Sequence, residues 1–218
     1  MTSFTAYAHP ERVTVPSPDL DNHDGRVEYL GDLLCGLRFH FTFVFTSWLG
    51  LGGGLARVAR VPDTTHLLSE HEARLMRLPA GTEVLLRRGW LVARGDRYGR
   101  HLAAVDSLVH PGRLGLAGSE LEAFTAGHTP LGALAAGARH TQYVFPVVPG
   151  EPEYDDLSMP PALPDEDDDV PVLRSLATLE RRGKPFAVAA ERVYKPAIDH
   201  ANVAVVRNLL APLLDGVA

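Results

Sequence analysis

The sequence predicts an α+β single domain, a mainly antiparallel sheet of about six strands flanked by helices. Three observations predict it. Runs rich in β-branched and aromatic residues come in pairs joined by glycine-containing turns, the pattern of hairpins. Segments of helical periodicity sit at the start, middle and end of the chain instead of between every two strands. The chain has 218 residues and 45% hydrophobic content, enough for one ordinary core.

The elements follow in order. Residues 1–25, rich in Pro, Ser, Asp and His, read as a loosely ordered lead-in to a domain over 26–218. In "RVEYLGDLLCGLRFHF" the apolar positions Val27, Leu30, Leu33, Leu34 and Leu37 have helical spacing, which predicts a helix over 26–37. "FTFVFTSWLGLGGGLA", 41–56, carries no formal charge. It is shorter than the roughly 18–20 apolar residues of a spanning helix, so it reads as buried core and not as a membrane segment. The glycines then lead into a strand over Leu55–Val61. Ser69 followed by Glu72 forms a capping box, which starts a helix over 70–78 that Pro79 and Gly81 end.

"GTEVLLRRGWLV", 81–92, is a strand, and "RHLAAVDSLVH", 100–110, returns from it across a Gly-Asp turn. "SELEAFTAGHTPLGALAAG" holds two short helices broken at Gly127–Pro130, with Thr129 as cap and Pro130 at the first position of the second. "HTQYVFPVV", 140–148, is a strand. Residues 149–171 are full of proline and acid and cannot bury much apolar surface, so they read as a long loop or disordered flap. "VLRSLATLERRG" and "KPFAVAAERVY" are two strands around a turn near Gly183, and "AIDHANVAVVRNLLAPLL" closes the chain with a helix.

Composition excludes several function classes. The net charge of -6 leaves no basic footprint for nucleic acid. The single cysteine, Cys35, supports neither an internal disulfide nor a cysteine metal site. With no basic segment before an apolar run at the N-terminus, a cytoplasmic protein is expected. Among the ten histidines, His66 and His71 are five apart, off the spacing that puts two ligands on one helix face, and no metal is expected. There is no "GxSxG" elbow. "GLGGG" lacks the Lys-Ser/Thr of a phosphate loop, and "DEDDD", 165–169, reads as a solvated acidic loop. The sequence specifies no oligomeric state.

Two charges stand out against apolar neighbours. Strand alternation puts Arg87 on a face with Leu85 and Leu91, and Arg88 on a face with Leu86, Trp90 and Val92. A buried unpaired cation is costly. Either the strand lies at an edge where both arginines snorkel to water, or one of them lines a pocket for an anion. Glu191 shares a face with Ala187, Ala189 and Val193. It is either a sheet-edge glutamate or a carboxyl at the far end of that pocket. An arginine and a carboxyl in a dry cavity suit a small aromatic or cyclic hydroxy acid. Arg87 would hold the carboxylate bidentately, and Glu191, its pKa raised by burial, would meet a hydroxyl or ether oxygen.

The order "SEHEARLMRLPAGTEVLLRRGWLV", "GRHLAAVDSLVHPGRL", "HTPLGAL", "RRGKPFAVAAERVY" resembles the chorismate–pyruvate lyase family. It is most similar to the actinobacterial branch that makes 4-hydroxybenzoate, over roughly residues 65–195. Effector-binding domains of GntR-type regulators share that fold. The resemblance implies a chorismate lyase-like fold and elimination of pyruvate from chorismate, with no metal or organic cofactor. Arg87 matches the arginine that binds the ring carboxylate, and Glu191 the glutamate where the enolpyruvyl ether breaks. Arg88 is then expected to face solvent or a loop carboxylate. The family's polar "DGS/T-x-T" segment is replaced by "FHFTFVFTSWLG", in which Thr46 and Ser47 stand in as ligand contacts. Thr129, Leu131 and Gly132 at the "TPLG" helix start are the remaining expected substrate contacts. Two alternatives accompany the lyase: a non-catalytic binder of a small aromatic acid, and a diverged enzyme of the same fold acting on another small aromatic or cyclic acid in a biosynthetic pathway. The absence of a helix-turn-helix argues against a GntR-type regulator but not against a stand-alone sensor.

Overall fold

The computed structural model describes residues 20–36, 41–95, 101–134, 138–146 and 171–210. Among these residues seven strands make one sheet: β1 Leu55–Ala59, β2 Thr64–Leu67, β3 Glu83–Ala93, β4 Ala103–Val109, β5 Arg139–Pro146, β6 Pro171–Arg181 and β7 Lys184–Tyr194. Their order is β1-β3-β4-β7-β6-β5, and every pairing is antiparallel. β1 and β2 share one edge of β3, so six positions are filled across the sheet. Among the described residues eight helices flank it: α1 His23–Gly36, α2 Phe41–Leu49, α3 Glu70–Met76, α4 Pro111–Leu114, α5 Ser119–Ala126, α6 Leu131–Leu134, α7 Lys195–Asp199 and α8 Val203–Val205.

Local chemistry explains the boundaries. In the capping box of α3, Glu72 N donates to Ser69 Oγ at 3.3 Å, and Ser69 N donates to Glu72 Oε2 at 2.8 Å. Arg77, in the left-handed region at φ 49°, ends that helix. The β6–β7 hairpin turns on Arg182 and Gly183, both at positive φ (53° and 74°), which matches the right-handed twist of the strands.

Several elements differ from the sequence reading. α1 starts at His23, three residues before the expected helix, and Leu20 is buried; residues 1–19 of the expected lead-in lie outside the described residues. The apolar run 41–56 is not uniform core but opens with α2, which buries Phe41, Val44, Phe45, Trp48 and Leu49. Trp48 Nε1 donates to Ala197 O at 3.1 Å and ties α2 to α7. β2 was not anticipated, nor was α4. The closing helix is broken: α7 ends at Asp199, Asn202 caps α8, and a π-helical turn over Val206–Leu210 follows. The expected loop over 149–171 lies outside the described residues except for Pro171, which begins β6. Among the described residues no helix is long and apolar enough to cross a membrane.

The two faces of the sheet are covered differently. On one face α3 packs over Leu86, Leu108, Leu176 and Val188. The other face is covered in two parts. Helices α1 and α2 pack on Leu91, Ala103, Leu173 and Val193 at one end. Leu114, Phe124, Leu131 and Leu134 from α4, α5 and α6 pack on Val109, Leu179 and Ala187 at the other. Between these two apolar clusters runs a strip in which the functional candidates lie.

Candidate functional site

Register fixes the strip. Residues directly opposite in antiparallel strands point to the same face. One row across the sheet is Arg87, Ser107, Ala189, Ala177. The next is Gly89, Val105, Glu191, Ser175. Small side chains fill most of these positions, so the two clusters do not close over them and a cavity remains. Arg57, Arg87, Leu91, Val105, Ala189 and Glu191 line it from the sheet, and Phe41, Thr42, Pro130, Leu131 and Gly132 from above. Arg87 and Glu191 are two strands and two residues apart, roughly 12 Å between Cα atoms from ordinary strand spacing and rise.

Neither residue is at an edge. β3 lies between β1 and β4, and β7 between β4 and β6. Arg87 is 2% exposed. Its Nε donates to Asp63 Oδ2 at 2.8 Å, and its Nη2 to Phe124 O at 3.3 Å. Its guanidinium carbon sits 4.2 Å from the centre of the Phe124 ring. Arg87 has company that the sequence did not reveal. Arg57 of β1, also buried, donates from Nη2 to Asp63 Oδ1 at 2.7 Å and to Arg88 O at 2.9 Å, and from Nη1 to Gly127 O at 2.8 Å. One carboxylate therefore bridges two guanidiniums. Burial and the neighbouring Arg57 pull the Arg87 pKa below the usual guanidinium range, and Asp63 opposes them. Arg87 stays charged.

At the other end, Glu191 is buried, and Ser175 Oγ donates to its Oε2 at 2.5 Å. Burial pushes the Glu191 pKa up to about 8, with the Ser175 hydrogen bond pulling the other way. The carboxyl is therefore mostly protonated at pH 7 and able to donate a hydrogen bond. The wall is cationic at one end and neutral but polar at the other.

Leu131 and Gly132 line the cavity, whereas Thr46, Ser47 and Thr129 are not among the lining residues. Thr46 Oγ1 donates to Thr42 O at 2.6 Å within α2, so the helix contributes Phe41 and Thr42 one turn earlier. Arg88 does not face solvent. It is 6% exposed on the opposite face, in register with Asp106, while Arg192 on the same face donates to Asp106 at 3.2 Å. Among the described residues no group of three His, Cys, Asp or Glu side chains could hold a metal ion.

Gly89 explains how Arg57 reaches the strip. A Cβ at Gly89 would lie 2.7 Å from Arg57 Nε, 2.8 Å from its Cγ and 3.0 Å from Val58 O. The Arg57 side chain crosses the strand where Gly89 leaves room. Gly89→Ala is expected to expel that side chain and cost about 1–3 kcal/mol, the usual penalty of overpacking. Chemical denaturation would read the loss, and an unchanged midpoint would contradict this packing.

No protein-family model matches the sequence, and no curated protein does. Solved structures do resemble the chain. PhnF from Mycobacterium smegmatis does so at 15% identity and TM-score 0.48, covering 71% of this chain and 63% of that one. The effector domain of PhnF does so at 12% identity and TM-score 0.45, covering 72% and 90%. The ligand-binding domain of a candidate GntR-family transcriptional regulator from Bordetella bronchiseptica follows at 18% identity and TM-score 0.40, covering 65% and 84%. Two of these are named as an effector domain and as the ligand-binding domain of a transcriptional regulator, and none of the three is named as a lyase. Against them the expectation of a chorismate–pyruvate lyase making 4-hydroxybenzoate does not hold.

Proposed function

We propose that the chain is a non-catalytic binder of a small aromatic or cyclic carboxylic acid that carries a second oxygen. The observation behind the reading is the charge of the cavity wall. Two buried guanidiniums share one carboxylate, and the far carboxyl is held neutral. One positive charge is left over in a partly desolvated strip, where an anion is worth more than in water. The arginine pair takes the ligand carboxylate, and protonated Glu191 donates to its second oxygen.

Size adds a condition. The cavity has a volume of about 40 Å³, on the order of three water-sized spaces. α2 and α6 meet above it, so admitting a ring requires Phe41 and Leu131 to move apart. Ligand binding is thus coupled to the packing of α2 against α6.

Thermal melting tests the reading. Benzoate and 4-hydroxybenzoate are expected to raise Tm with concentration, and neutral benzamide is not. At about 100 times Kd the gain is about 2.7 kcal/mol, roughly 5–10 °C for a chain of this size. Chromatography should recover the acid unchanged. Equal shifts with benzoate and benzamide, or none with either acid, would reject the proposal.

A further inference from the structure

Asp63 is not among the residues lining the cavity, yet it touches both arginines that are. It reaches them from the connection between β1 and β2, and its side chain is 27% exposed, so it approaches from the outer side. It is the carboxylate that reduces the arginine pair from two charges to one. From this geometry we infer that Asp63 sets the charge of the ligand: it tunes the cavity to monoanions and against dianions. The inference rests on the acid-binding reading above and adds a selectivity to it.

The physical reason is charge balance in a dry site. A monoanion against Arg57, Arg87 and Asp63 gives a neutral set. A dianion leaves one negative charge buried and unbalanced, which is costly. A phosphate monoester carries about −1.5 to −2 charges near pH 7 and three acceptor oxygens, so it fails this balance although it could satisfy both guanidinium forks. Without the Asp63 charge the balance reverses: the pair carries two charges and a dianion neutralises it.

Benzoate and phenyl phosphate, titrated calorimetrically at pH 7, separate the cases. The wild type is expected to bind benzoate at least tenfold more tightly than phenyl phosphate. In Asp63→Asn the ratio is expected to move at least tenfold towards phenyl phosphate. Asp63→Asn combined with Arg57→Gln restores a single charge and is expected to restore the preference for benzoate. This double variant also relieves the repulsion between the arginines, so it carries the test if the single variant does not fold. A double variant that prefers phenyl phosphate, or an unchanged ratio in folded Asp63→Asn, overturns the inference. Loss of benzoate binding in Arg87→Ala accompanied by that unchanged ratio would leave the acid site standing and remove only the role of Asp63. Benzoate binding that is indifferent to Arg87→Ala would remove both.

Discussion

Arg87→Ala is expected to abolish measurable benzoate binding in a protein that still folds. Arg87 is buried and lines the cavity from an inner strand of the sheet. Truncating one partner of a desolvated charge pair costs about 2–5 kcal/mol, or roughly 30-fold to several thousand-fold in Kd. Folding is expected to survive because Asp63 keeps its 2.7 Å contact with Arg57 and, half-buried, is not left unpaired. Some stability is lost, on the order of 3 kcal/mol, because the guanidinium also stacks on Phe124 and its removal leaves a void. Arg87→Lys keeps the charge but loses the planar fork, so it is not expected to rescue binding. It cannot donate at once to Asp63, Phe124 O and a ligand in the Arg87 geometry. Calorimetric titration with benzoate, beside circular dichroism melts of each variant, gives the answer. A folded Arg87→Ala protein with wild-type affinity would show that the anion site lies elsewhere.

Much of this arrangement was legible in the sequence because strands have period two. Alternation alone put Arg87 with Leu91, and Glu191 with Ala189, and the register confirms that all four face one cavity. The capping box was legible for a similar reason, since both of its bonds are local. Arg57 and Asp63 were not legible. Their contact with Arg87 depends on β1 pairing with β3 and on a connection between two short edge strands, and neither has a local signature. β2 was hidden because "TTHL" is largely exposed and shows no apolar alternation; its partner β3 imposes the extended shape. α2 was obscured by the opposite cause. "FTFVFTSWL" is apolar on so many sides that period could not separate a helix from other buried structure. The cavity floor has a signal of its own: Gly89, Ser107, Ser175, Ala177 and Ala189 are small residues at facing positions of four strands.

Glu191 gives the second large effect, and it is an effect of pH. Its ordinary carboxyl pKa of 4.5 rises to about 8 in the folded chain because burial penalises the charged form. Between these two values the folded state holds a proton that the unfolded state has released. The stabilising contribution of the neutral carboxyl is therefore complete below about pH 4.5 and declines as pH rises through about 8. The slope across that window is at most about 1.4 kcal/mol per pH unit from this one group. Glu191→Gln replaces the protonated carboxyl by an amide of nearly the same shape whose oxygen can still accept from Ser175. The variant is expected to lose this part of the pH dependence and to be more stable than the wild type at pH 8.5, with the difference shrinking towards pH 5. Ligand binding should follow the same titration, because an ionised Glu191 adds a negative charge to the cavity and, for a ligand with a second oxygen, can no longer donate to it. Benzoate affinity is thus expected to fall above about pH 8 in the wild type and to stay level in Glu191→Gln. Denaturant midpoints for both proteins from pH 5 to 9 decide the matter. Parallel curves would mean that Glu191 titrates as an ordinary carboxyl. The neutral end of the cavity wall would then be anionic at pH 7, and the wall would have no net charge to offer an acid.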